Sequence, residues 1–109
     1  MAYDDKLAQR IREVLERRRG ISEKKMFGGL AFLVNGHMAC GVQGDDLMVR
    51  VGPDDYESAL RKTGARPMDF TGRPLKGMVY VGPRGHRRAP SLRAWVEQGL
   101  SYVRSLPPK

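Results

Sequence analysis

Two histidines, one cysteine and five serines are the side chains here that could carry metal or nucleophilic chemistry, and their spacing argues against both. His37 and Cys40 are three apart in a strand-like stretch, a spacing that points them to opposite faces. With only His86 besides, the usual four ligands of a structural zinc site are missing, so no metal is expected. Cys40 lies between apolar neighbours and reads as a buried, inert thiol. Ser22, Ser58, Ser91, Ser101 and Ser105 suit turns, caps or helix surfaces, and no Gly-x-Ser-x-Gly elbow occurs. The pairs Asp45-Asp46 and Asp54-Asp55 fall in turn and helix-start positions, where Asp bonds its own backbone. No phosphate-binding glycine motif is present either, so neither catalytic residues nor a cofactor is expected.

One constellation remains. Gly82-Pro83-Arg84-Gly85-His86-Arg87-Arg88 follows a strand and brings Arg84, Arg87, Arg88 and His86 together in what reads as an exposed loop. Such a loop suits a phosphate or an acidic partner, or serves only as a charged, solvated surface.

That loop belongs to a wider charge pattern. Twenty Lys and Arg against twelve Asp and Glu give +8 over 109 residues, which points to acidic partners. Residues 1–25 carry +3, residues 26–60 carry −4 and residues 61–109 carry +9, so the basic character sits at the two ends. The size is that of one domain over residues 1–109, and the composition is globular. No apolar run approaches the length needed to cross a bilayer, and the first residues lack a signal-peptide core, so a cytoplasmic protein is expected.

The elements that must position these residues follow from periodicity. Leu7, Ile11, Val14 and Leu15 recur at helical spacing between Tyr3 and Arg18, with Asp4 or Asp5 as cap and Gly20 as stop. Strands are predicted at Lys24–Phe27, Leu30–Val34, Met38–Val42 and Leu47–Val51, with Asn35-Gly36 as a hairpin turn. A short helix follows Pro53, residues 63–75 read as an ordered loop, and Gly77–Val81 is a last strand. Ser91 is placed as the cap of a final helix carrying Leu92, Trp95, Val96 and Val103. Strands joined by tight turns must be antiparallel. The expected fold is therefore α+β: a two-layer sandwich with an antiparallel sheet and helices packed on one face. No helix-turn-helix pair and no set of exposed strand aromatics is evident, so any nucleic-acid contact would be weak and to the backbone.

Several of these pieces resemble the N-terminal domain of the TfoX/Sxy family: Lys25-Met26-Phe27-Gly28-Gly29-Leu30-Ala31-Phe32, then Asn35-Gly36, Met38-Ala39-Cys40-Gly41, Leu47-Met48-Val49-Arg50-Val51-Gly52-Pro53, Arg66-Pro67-Met68-Asp69-Phe70 and Lys76-Gly77. The resemblance implies a secretion-chaperone-like α+β fold with no enzymatic activity and no cofactor. It also implies a regulatory, protein-interaction role in a bacterial cytoplasm, linked to competence genes and the cyclic-AMP receptor protein. Full-length family members carry a second, helical C-terminal domain, and this chain is expected to be the N-terminal domain standing alone. Met26, Phe27, Gly28 and Gly29 then become candidate interaction residues, with Gly28-Gly29 allowing a bulge or a close backbone approach. Arg50, in an otherwise apolar strand, is expected to pair with an acidic group across the sheet or across a subunit interface. A homodimer is the expected state. A protein partner on the sheet is the leading function, and nucleic-acid binding through Arg84, Arg87 and Arg88 is the alternative.

Overall fold

The computed structural model describes residues 3–26, 28–69, 72 and 74–107. Helix α1 (Asp5–Leu15) leads into strands β1 (Ile21–Met26), β2 (Gly29–Val34), β3 (His37–Gln43) and β4 (Asp46–Arg50). After these come α2 (Tyr56–Leu60), β5 (Ala65–Asp69), β6 (Pro74–Val81), α3 (Pro83–His86) and α4 (Ala89–Arg104). The strands form a single six-stranded sheet in the order β1-β2-β3-β4-β6-β5, with every neighbouring pair antiparallel. The α+β two-layer architecture expected from the sequence is the one observed.

Local chemistry accounts for the boundaries. The Asp4 carboxylate accepts hydrogen bonds from the Lys6 and Leu7 amides at 2.8 and 3.3 Å and so caps α1. That helix ends at Leu15, sooner than Gly20: Glu16 turns out of helical geometry with a ψ of 134°, and Arg17 follows with a left-handed φ of 72°. Asn35 and Gly36 both take positive φ, 52° and 86°, as a type I′ hairpin turn requires.

Three expectations need correction. Residues 63–75 are not a loop throughout: β5 occupies Ala65–Asp69 and β6 begins at Pro74. Pro67 is compatible with a strand here because β5 lies at the sheet edge, where one side of the ladder is unused. The stretch after Gly82 is also not an open loop, since Pro83 starts the single turn α3. Ser91 does not cap α4; Arg88 occupies the N-cap and Pro90 sits in the first turn.

The core lies between the helices and one face of the sheet. Leu7, Ile11, Trp95, Val96 and Leu100 from α1 and α4 meet Phe32, Cys40, Val42, Leu47, Val49, Val79 and Val81 from the strands. Tyr56 and Ala59 bring α2 into the same cluster. A shift in the β2–β3 register between Phe32 and Leu33 pairs Cys40 with Phe32 and His37 with Val34, which puts His37 and Cys40 on the same face. The inserted residue defeats the simple period-two expectation of opposite faces. Cys40 is fully buried, and His37 Nε2 lies 2.6 Å from the Pro107 carbonyl. The described residues contain no group of three or more His, Cys, Asp or Glu able to hold a metal ion, and no helix of the described residues is long and apolar enough to cross a membrane.

Candidate interaction surface

Alternation along the strands sends every second side chain away from the helices. Four of the six methionines face that way: Met26 on β1, Met38 on β3, Met48 on β4 and Met78 on β6. This outer face has two ends of different character.

At one end polar groups close it. The Tyr80 hydroxyl donates to Gln43 Oε1, and the Arg66 guanidinium lies 5.0 Å from the centre of the Tyr80 ring. Arg66 also donates to both oxygens of Asp46, at 2.5 and 3.3 Å. The Asp46 hydrogen bond raises the Arg66 pKa, and burial raises that of the Tyr80 phenol. Beside them Met48 is fully buried, its methyl filling space that only a glycine at position 41 leaves open: a Cβ there would stand 2.8 Å from it.

At the other end lies an open groove of about 450 Å³. Met26, Leu33, Met38, Leu75 and Met78 give it an apolar floor, all of them partly exposed. Among the described residues Lys24, Arg50 and Lys76 are its charged ones, and no acidic residue lines it.

Arg50 reaches this groove from the last position of β4, where its partner on β6 is Met78. Among the described residues no carboxylate pairs with it across the sheet, where Met78 stands opposite; the expected alternative, a pair across a subunit interface, is not tested by a single chain. The Arg50 guanidinium instead lies 5.5 Å from the centre of the Tyr102 ring at the end of α4. Met26 therefore joins Arg50 in one groove, as candidates from the sequence. Gly28 makes the positive-φ turn (73°) into β2. Gly29 meets the expectation of a close backbone approach, since a Cβ on it would collide with the Val42 carbonyl. Phe27 lies outside the described residues.

The other candidates belong to a separate surface. Arg84, Arg87 and Arg88 are exposed and line, with Thr63, a shallow groove of about 250 Å³. Among the described residues none of the three is in an ion pair. Arg10 supports them from behind, donating to the carbonyls of His86 and Arg87 at 2.9 and 3.0 Å. His86 is not part of the exposed set: it is 5% exposed, with Nε2 2.9 Å from the Asp45 carbonyl. The turn of α3 folds it under the arginines. None of the described grooves is lined by His37, His86 or Asp69.

Sequence reasoning missed Lys24, Leu33, Met38, Leu75, Lys76, Met78 and Tyr102. A signal for part of this set exists in the strand alternation itself, which puts Lys24 with Met26 on β1 and Lys76 with Met78 on β6; Met38 reaches the same face only through the β2–β3 register shift.

An antiparallel sheet with helices on one face and a methionine-lined, cation-bearing groove on the other defines a small α+β domain built around an exposed sheet surface. The chain belongs to the TfoX N-terminal domain family, whose model matches residues 13–102. That family is not a known catalytic one. No curated protein and no solved structure matches the chain.

Proposed function

We propose that the protein is a non-catalytic regulatory module of the TfoX/Sxy type, acting in the cytoplasm, that docks a protein partner on the outer face of its sheet. One observation carries the proposal: the groove of about 450 Å³ beside Arg50, apolar on its floor and left uncovered by the helices. Grooves of this size, apolar with a few placed polar groups, are the ordinary form of a recognition site. Methionine suits such a surface because its flexible thioether adapts to a partner's shape. Family membership supports a link to transcriptional control or competence.

Photocrosslinking in the native host tests it. A photoreactive residue at position 33, on the groove floor, is expected to give a discrete protein adduct, while one at position 93, on the exposed side of α4, gives none. Adducts from neither position, or the same adducts from both, overturn the docking function. The homodimer also stays a proposal, and sedimentation equilibrium at high concentration checks it. A strict monomer overturns the dimer without touching the docking function.

The second surface favours a second reading, backbone-level nucleic-acid binding. Arg84, Arg87 and Arg88 stand together, exposed and free of carboxylate partners among the described residues. Binding through them would weaken steeply with salt and vanish in the triple alanine variant. No gel shift of DNA or RNA at low salt overturns it.

A further inference from the structure

We propose that the groove beside Arg50 receives an amphipathic helix of a partner protein whose apolar stripe is flanked by Asp and Glu. This rests on the docking function above and specifies its ligand.

Charge fixes the sign of the partner. Lys24, Arg50 and Lys76 line the groove with no acidic residue among them, and none of the three is in an ion pair among the described residues. Arg50 is held by the face of the Tyr102 ring and not by a carboxylate, so its positive charge is not neutralised by an acid. An acidic rim on the partner would meet cations on the protein, the complementarity that selects partners and speeds their encounter. A second copy of this chain would instead bring the same three cations against themselves.

Backbone chemistry fixes the shape. The groove crosses the face of β1, β2, β3, β4 and β6, and all of these but the edge strand β1 are interior strands hydrogen-bonded to a neighbour on each side. An extended peptide laid over Met38 and Met78 would place its own N–H and C=O groups on apolar side chains without partners. A helix satisfies its backbone internally and presents a stripe of side chains. From β1 to β6 the sheet spans four inter-strand steps, roughly 19 Å, the length of about 13 helical residues.

Protein carrying ¹³C-labelled methionine methyls, titrated with a blocked peptide of about 14 residues, tests this. The peptide has Leu at i, i+3, i+7 and i+10 and Glu along both flanks; a control carries Lys in place of Glu. The methyls of Met26, Met38 and Met78 are expected to shift saturably with the Glu peptide, that of buried Met48 to stay, and the Lys peptide to move none. Arg50→Glu and, separately, Lys76→Glu are each expected to weaken binding tenfold or more while the Met48 methyl holds its position, which shows that the fold is intact; Lys76→Glu also keeps the melting temperature, and Arg50→Glu lowers it by only the few degrees that loss of the Tyr102 contact entails.

Equal shifts from both peptides overturn the acidic partner, and so does an absent response to the Glu peptide. A response to decanoate but not to the peptide gives the groove to a lipid anion, and shifts on simple dilution give it to a second copy; either overturns the helix. The position-33 crosslink separates the two levels: an adduct without a peptide response leaves docking standing and removes only the acidic helix.

Discussion

Arg50 and Tyr102 meet at 5.5 Å between guanidinium carbon and ring centre, tying the end of β4 to the end of α4. The contact crosses from the outer face of the sheet to the helical layer. A cation over an aromatic ring at an exposed site contributes about 0.5–1 kcal/mol. A double-mutant cycle with Arg50→Met and Tyr102→Leu, read by urea unfolding, is expected to return a coupling of that size. Tyr102→Phe keeps the ring and should keep the coupling; a coupling near zero would remove the contact from the energetics of the fold.

The close seating of α4 on the sheet gives a second expectation. A Cβ at Gly99 would stand 2.5 Å from the Ala39 carbonyl oxygen, a backbone atom that cannot swing away. In an exposed helix interior, Gly→Ala stabilises by about 1 kcal/mol through propensity. Overpacking against backbone costs about 1–3 kcal/mol and is expected to win. Gly99→Ala should therefore lower the unfolding free energy, and a variant as stable as the parent would mean that α4 can lift off β3 without loss.

Cys40 makes stability depend on alkaline pH. Burial pushes its thiol from an ordinary value of 9.0 up to about 12. Between those values the unfolded chain releases this proton and the folded chain keeps it, so folding loses stability as pH rises through the window. At pH 10.5 the loss relative to pH 8 is on the order of 2 kcal/mol. Cys40→Ala should abolish that part of the slope in paired denaturation curves. In the same vein, the folded thiol should resist alkylation at pH 8 and react once urea is added.

The outer face should divide energetically as it does structurally. Met48, fully buried above Gly41, is expected to cost about 2–5 kcal/mol when cut to Ala. Met38, half-exposed in the groove, buries less and should cost under about 1 kcal/mol. Equal costs in calorimetry would mean that the groove floor is structural core.

Most of the architecture was legible because it rests on short-range signals. The Asn35-Gly36 turn, the Asp4 cap and the apolar periods of α1 and α4 each act within a few residues, and each is where the sequence puts it. What stayed hidden depends on neighbours far along the chain. Pro67 reads as a loop residue until β5 is known to be an edge strand. His37 and Cys40 change faces because of one register shift between β2 and β3. The groove was hidden for the same reason: Lys24, Met38, Arg50 and Met78 lie on four strands, and only the strand order brings them side by side. Arg50 itself could be singled out locally, as a charge in an apolar strand, but its aromatic partner is fifty-two positions away, in the last helix.

The two ends of the sheet carry one further consequence. At β5 the ladder ends on a strand containing Pro67, which has no amide hydrogen to offer. At β1 it ends on Ser22, Glu23, Lys24 and Lys25, all exposed, with Glu23 clasped by Arg12 at 2.7 and 2.9 Å. Both margins are thus poor templates for another strand. Edge-to-edge stacking into a filament is thereby disfavoured, which leaves the methionine-lined face, and not the margins of the sheet, as the surface on which another molecule would meet this one.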